Sequence, residues 1–303
     1  MRSDNADLPS RHTLPKREYA MNIALKFERV LPILLMTLAL SACTNLKDIK
    51  SYANESAKLT AYTDLTTRFR DTYEREQAYL PDGVVQQQAQ DNDKKRKAAY
   101  NDLIQVHQQI TLYLHTLAIL AGEDTFDLSH NINAVGAGIK ANPEFGVDAK
   151  LVDAINKITL GISKVATASY QKIAVKTLIK ESDADLQTSL QGLLTLIHVY
   201  EKTNDNEKKT VLGFFEMEIP FAAKKDKLLT ALARANAQAR SSEYNRVQEK
   251  YAEAEKGIKS IAEGHKKLLE NIDNLSKSEV RSQIRKITQD IKSVSEQLQI
   301  AAN

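Results

Sequence analysis

The chain has 303 residues, 42% of them hydrophobic and 27% charged, with one cysteine and no tryptophan. Residues 1–42 hold six basic and four acidic residues, which leaves 36 and 35 in the remainder and a net charge there of only +1. That balance gives no bulk electrostatic case for nucleic acid or an anionic surface as a partner, and a single cysteine cannot close an internal disulfide.

Breakers are scarce. Beyond residue 42 the only prolines are Pro81, Pro143 and Pro220, in a background rich in Ala, Lys, Gln, Glu and Leu. Such a composition points to an all-α fold. The expected architecture is an elongated antiparallel helical bundle with long coiled-coil-like helices and a more apolar central head.

In chain order, residues 1–20 are polar, contain Pro9 and Pro15, and fit no secretory pattern. They read as a start-site extension ahead of Met21, the alternative being a disordered extension. Residues 21–43 have a charged start with Lys26, Glu28 and Arg29, an apolar run from Val30 to Leu40, and then Ser41-Ala42-Cys43. The apolar run suits the h-region of a signal peptide and is too short to span a bilayer, which needs about 20 residues. Leu40-Ser41-Ala42-Cys43 resembles the lipobox of bacterial lipoproteins. The resemblance covers the leader only. It implies that residues 21–42 are removed and that Cys43 is acylated, with palmitate-type chains holding the protein to a membrane. In such proteins Asp after the cysteine marks inner-membrane retention. Thr44 stands there instead, so the resemblance implies the inner leaflet of the outer membrane, facing the periplasm.

Thr44 to about Leu80 reads as one helix. Tyr52, Leu59, Tyr62, Thr66, Phe69 and Tyr73 fall on alternating three- and four-residue steps, with Glu55 in the missing slot. Pro81-Asp82-Gly83 ends it in a turn. A second helix, about Val84 to Ala121, starts polar and becomes apolar on nearly all sides from Ile110. Its Lys94-Lys95-Arg96-Lys97 run beside Asp91 and Asp93 reads as a solvated face, with a phosphate or headgroup contact as the sharper alternative. A short third helix opens at Asp127. Gly136-Ala137-Gly138 follows, but with no strand before it the glycine pattern for dinucleotides has no structural context.

From Val147 to about Tyr200 the chain is helical and apolar, with Glu181-Ser182-Asp183 reading as a break and N-cap. Residues 211–223, Val-Leu-Gly-Phe-Phe-Glu-Met-Glu-Ile-Pro-Phe-Ala-Ala, suit no regular helix and read as a loop or strand pair on the core. The sharper alternative is an exposed apolar tip in which Phe214, Phe215, Met217 and Phe221 touch a membrane or partner. Phe221 to Leu275 then carries a heptad seam: Val247, Tyr251, Ala254, Ile258, Ile261, His265, Leu268, Ile272 and Leu275. Leu228, Leu232, Ala235 and Ala239 read as its upstream half, displaced by a slip near Ser241-Ser242. Ser276-Lys277-Ser278-Glu279 is a capping-box signature. Val280 to Leu298 repeats the heptad and must fold back as an antiparallel hairpin. A single domain over 43–303 is therefore expected, with a head at about 110–220 and stalk helices at 44–100 and 225–300.

No catalytic set is legible. His107, His115, His130, His198 and His265 form no metal-ligand pattern, and none of the residues implies a metal or cofactor. His107 and His115 read as surface or half-buried, and His265 as a polar residue that sets seam register. Ser169-Tyr170-Gln171-Lys172 matches Ser-x-x-Lys by letter, without the companion motifs of penicillin-type enzymes. No carboxylate sits in an apolar stretch that would tune it for acid–base work. The expectation is a non-enzymatic, lipid-anchored envelope scaffold or interaction protein, with an unidentified protein partner, no nucleic acid, and homo-oligomerisation open. The alternatives are a membrane-active, pore-former-like bundle using residues 211–223, or an immunity lipoprotein.

Overall fold

The computed structural model describes residues 46–122, 138–165, 171–275 and 277–300. The chain divides into Met1–Thr44 and Asn45–Asn303, and only the second unit falls among the described residues. There the structure is all-α, apart from an isolated bridge between Asn142 and Val147. Helix α1 covers residues 46–60. It is followed by α2 (Asp64–Arg70), α3 (Thr72–Glu76) and a 3-10 turn over Gln77–Tyr79. Then come α4 (Val84–Leu120), α5 (Ala149–Val165), α6 (Gln171–Ala222), α7 (Lys227–Glu270) and α8 (Ser278–Ile300).

The long pair α6–α7 is the frame. Its cross-pairs descend on one helix as they ascend on the other: Glu207 with Tyr244, Glu201 with Gln248, His198 with Glu255, Asp183 with His265, Lys176 with Asp273. The two helices are therefore antiparallel in one unbroken register. Helix α8 returns along α7, and α1 lies against both. Two glycines of α7 make this close approach possible. A Cβ at Gly257 would meet Leu59 and Val294, and one at Gly264 would meet Tyr52 and Ile287. On the other side of α6, Gly192 stands directly against Leu151 of α5.

One continuous cluster of buried side chains takes in α1, α2, α4, α5, α6 up to Tyr200, α7 from Val247, and α8. Side chains from the expected stalk regions, 44–100 and 225–300, share this cluster with those of the expected head at about 110–220. The seam helices at both ends of the chain bury their apolar stripes against the central helices, because those stripes have no other apolar surface within reach.

Four expected elements are corrected. The first helix is not continuous from Thr44 to Leu80. It stops after Thr60 and restarts at Asp64, although the seam residues Tyr52, Leu59, Thr66 and Phe69 are all buried. The Thr60 hydroxyl bonds back to the carbonyls of Ser56 and Ala57, at 3.2 Å each, a competition with the backbone that bends helices. The Thr60 carbonyl, released from the helix, accepts from His107 Nδ1 at 3.0 Å.

The break expected at Glu181-Ser182-Asp183 is absent, since α6 runs through it. Ser182 is buried with no hydrogen-bond partner for its hydroxyl among the described residues, and Asp183 reaches across to His265 of α7 instead of capping. Residues 211–223 are not a loop or strand pair. All but Ala223 belong to the last turns of α6, with Pro220 inside the helix two residues from its end. That near the terminus, proline forfeits one backbone bond without a following helix to kink. Finally, α7 begins at Lys227 and not at Phe221. Asp226 caps it, its side chain accepting from the amides of Leu228 and Leu229 at 2.9 and 3.0 Å.

The slip near Ser241-Ser242 is corrected too. The buried face of α7 continues without interruption from Val247 back through Tyr244, Arg240, Ala237, Ala233 and Thr230, all buried or half-buried. Leu228, Leu232, Ala235 and Ala239 form a different, exposed face. Residues 127–137 of the short helix expected from Asp127 to Asn142, with Gly136-Ala137 of the glycine pattern, and Ser276 of the capping box lie outside the described residues; residues 138–142, its expected end, are not helical.

Candidate functional site

Three places in the described residues concentrate chemistry: two buried polar clusters and the tip of the α6–α7 hairpin.

The first cluster surrounds Glu207, which is fully buried on α6. Arg75 of α3 grips it with both arms of its guanidinium, Nε to Oε1 at 2.9 Å and Nη2 to Oε2 at 2.7 Å. The Tyr244 hydroxyl donates to Oε1 at 2.9 Å. Arg68 of α2 stands 3.6 Å away and donates to Asn204 Oδ1 at 3.0 Å and to Glu243 Oε1 at 2.7 Å. Burial works against the Arg75 charge, but the Glu207 bonds outweigh it and raise its pKa above the ordinary value. Burial, followed by the charge of Glu207, pushes the Tyr244 hydroxyl up. The cluster fastens the short helices α2 and α3 to the hairpin just below its tip. With Glu207 sealed from solvent, its geometry supports orientation, not turnover. Sequence reasoning missed it: Glu207 sits in the polar run Glu201–Lys209, and its partners are far away in the chain.

The second cluster centres on His265, also fully buried. Its Nδ1 lies 2.6 Å from Asp183 Oδ1 and its Nε2 2.7 Å from the Tyr113 hydroxyl. The hydrogen bond from His265 holds the Asp183 carboxyl below its usual range, while burial keeps Tyr113 protonated far above the usual tyrosine range. One orientation satisfies every group: Tyr113 donates to Nε2, and Nδ1–H donates to Asp183. A Tyr–His–Asp line is the geometry of a proton relay, but its histidine is closed off from solvent. It joins α4, α6 and α7 and so fixes their register, the role its seam position suggests.

His107 is not the surface or half-buried residue expected from the sequence. It is buried, at 3% exposure, between α4 and the break after α1. Since a carbonyl can only accept, Nδ1 carries the proton toward Thr60, and Nε2 accepts from the Thr66 hydroxyl at 3.1 Å. Burial lowers its pKa to about 4, so at neutral pH it is an uncharged strut. His115 is exposed on the same helix and does not join it; a shallow hollow of about 570 Å³ has both residues in its lining. In the basic run, Lys94, Lys95 and Lys97 are solvated, whereas Arg96 is buried with its guanidinium 5.9 Å over the Phe69 ring.

The hairpin tip is the third place. Phe215 packs with Val211 and Tyr244 into a small cluster separate from the main core, and Phe214 is half-buried against Tyr79. Met217 and Phe221 are 64% exposed. The four residues singled out by sequence thus split, two inward and two outward. Leu228 and Leu232, whose spacing reads from the sequence as a partnered seam, are 70% and 61% exposed, and Leu229, which the sequence reading did not single out, is 54% exposed. A groove of about 560 Å³ runs between the helices, lined by Phe214, Ile219, Phe221, Leu229, Leu232 and Ala233 among others. Lys224, Lys225 and Lys227 surround the turn, with Glu216 and Glu218 exposed one turn below.

Among the described residues, no helix is long and apolar enough to cross a membrane. Leu40, Ser41, Ala42, Cys43, His130 and Ser169 lie outside the described residues, as does the side chain of Lys172. No protein-family model, no curated protein and no solved structure matches the chain.

Proposed function

We propose that this chain is a non-catalytic interaction protein of the bacterial envelope, tethered through acylated Cys43 and engaging its partner with the tip of the α6–α7 hairpin. The observation that carries the reading is where the exposed apolar side chains fall. Of nine large hydrophobic residues exposed among the described residues, five (Met217, Phe221, Leu228, Leu229 and Leu232) fall in the sixteen positions 217–232 that bracket the hairpin turn. Exposed apolar side chains scattered singly need no explanation, whereas such a concentration marks a contact surface. The tether rests on Leu40-Ser41-Ala42-Cys43, and Thr44 favours the periplasmic face of the outer membrane.

Helix α1 begins near the start of α8, where Asp48 pairs with Arg281 at 2.7 Å. That end of α7 is some 45 residues from the tip, on the order of 65 Å at 1.5 Å per residue.

The test has two arms in the native host. Cys43→Ser releases the protein from the membrane fraction without loss of helical content; retention as tight as wild type overturns the tether. Photo-crosslinkers at positions 217 and 221 capture a protein that crosslinkers on the solvated face of α4, at Lys94, do not; identical capture at both places overturns the tip as the working surface.

The same exposed tip favours a second reading, a membrane-active bundle. Glu216 and Glu218 beside Met217 weigh against deep insertion, since a carboxylate at mid-bilayer costs about 3 kcal/mol. Dye leakage from vesicles on adding the protein, abolished by Met217→Ser with Phe221→Ser, would favour that reading over the first.

A further inference from the structure

We infer that the exposed stripe of α7 at the hairpin tip docks against the same stripe of a second copy of this chain, with the two α7 helices antiparallel. The inference rests on the tip being the working surface and names its partner.

Leu228, Leu232, Ala235 and Ala239 step by four, three and four, the spacing of a helix-packing seam. All four are exposed. The seam that α7 offers to its own chain lies on another face, through Thr230, Ala233, Ala237, Arg240 and Tyr244. Helix α7 thus carries two seams over this stretch, and among the described residues only one of them is covered.

Size order along the stripe selects the orientation. Two antiparallel copies related by a two-fold axis near residues 233–234 place Leu228 against Ala239 and Leu232 against Ala235. Every layer then pairs one large side chain with one small one, and the layers have equal width. A parallel pair would stack Leu on Leu and Ala on Ala, which gaps one end as it closes the other. Antiparallel pairing is also isologous, so it closes at two copies and leaves no free seam.

Charge points the same way. The positions that flank the stripe are Leu229, Ala231, Asn236 and Gln238, all uncharged. Lys227 and Arg234 lie further round the helix. An acidic partner or an anionic lipid surface would call for charge along the rim of this stripe, whereas identical copies need a rim that does not repel itself. The exposed fractions of Phe221, Leu228, Leu229 and Leu232, together with the two alanines, amount to roughly 500–600 Å² per copy, or about 1,000–1,200 Å² for a pair. That is the lower edge of the range for specific interfaces, so the pair should be reversible.

The test uses the full chain with Cys43→Ser, so that an introduced thiol is the only one. In an antiparallel pair the two copies of position 235 are offset by three residues along the axis, about 4–5 Å, and those of position 239 by eleven, about 16 Å. With a short bismaleimide at 20 µM protein, Ala235→Cys should give a cross-linked dimer and Ala239→Cys at least tenfold less. Adding Leu232→Glu to Ala235→Cys should lower the yield at least tenfold with far-UV circular dichroism unchanged. Equal yields from positions 235 and 239 overturn the antiparallel register. A monomer at every concentration up to 100 µM overturns the pairing. Monomers that co-sediment with phosphatidylglycerol vesicles, and lose that binding with Leu232→Glu, assign the stripe to lipid instead. If pairing fails while crosslinkers at positions 217 and 221 still capture another envelope protein, the tip remains the working surface and only its partner changes.

Discussion

The buried histidine at the break between α1 and α2 makes the fold sensitive to mild acid, and the size of the effect follows from its surroundings. His107 is uncharged in the folded chain, with its pKa lowered to about 4 by burial. In the unfolded chain it returns to about 6.5. Below pH 6.5 the unfolded state therefore takes up a proton that the folded state refuses until about pH 4, and stability falls as pH falls through that window. At pH 4.5, two units below the unfolded value, the penalty is about 2.5 kcal/mol. His107→Gln removes this proton uptake while keeping a group that can donate to the Thr60 carbonyl. Urea unfolding followed by circular dichroism at pH 7.5 and 4.5 should show wild type losing about 2.5 kcal/mol more than His107→Gln. Exposed histidines such as His115 and His198 cancel in the difference. The His107 ring should also titrate near pH 4 by NMR. An ordinary midpoint near 6.5, or the same acid loss in both proteins, would refute the assignment of His107 as a neutral strut.

Three further outcomes are expected. Glu207→Leu leaves Arg75 and Arg68 with no carboxylate between them, which costs about 3 kcal/mol; denaturant midpoints should fall, and protection of amides in α2 and α3 from hydrogen exchange should fall first. Gly264→Ala drives a methyl group into the Tyr52 ring, nearest at Cε2, and to 3.1 Å from the Ile287 Cγ2. The strain of about 1–3 kcal/mol exceeds the helix-propensity gain of up to about 1, so the melting temperature should drop by a few degrees; a rise would show that α1 can move away. Tyr113→Phe removes the donor to His265 Nε2 and leaves a buried nitrogen unpaired, at about 1–3 kcal/mol; an unchanged denaturant midpoint would indicate that water replaces the hydroxyl.

Helices α4, α5 and α8 and the lower part of α7 are legible from periodicity, because their apolar spacing is also their burial pattern. The break after Thr60 is not legible, since Leu59, Thr66 and Phe69 keep helical spacing across it and nothing in Ala61-Tyr62-Thr63 is a breaker. The Thr60 carbonyl freed at the break is satisfied by His107, 47 residues away. Pro220 misleads in the opposite direction: a proline among phenylalanines looks like irregular chain, but two residues from a helix end it can be accommodated. Asp183 has the chemistry of a cap and uses it sideways, on His265 of α7. Glu207 is hidden because one arginine, one tyrosine and one glutamate look solvated until three remote segments converge. The outer stripe of α7 was visible as a pattern all along; what the spacing could not tell was whether another helix of the same chain covered it.

The single register along α6 and α7 restricts how the arms of this hairpin can change length. Adding one residue to either arm near Glu207 would rotate everything beyond it by about 100° and pull every rung toward the turn out of step. Adding seven to each arm would displace the turn by about 10 Å while returning every side chain to its own face. Length variants of this protein should therefore differ by matched heptads in the two arms, and an unmatched change should be tolerated only within the four residues of the turn itself.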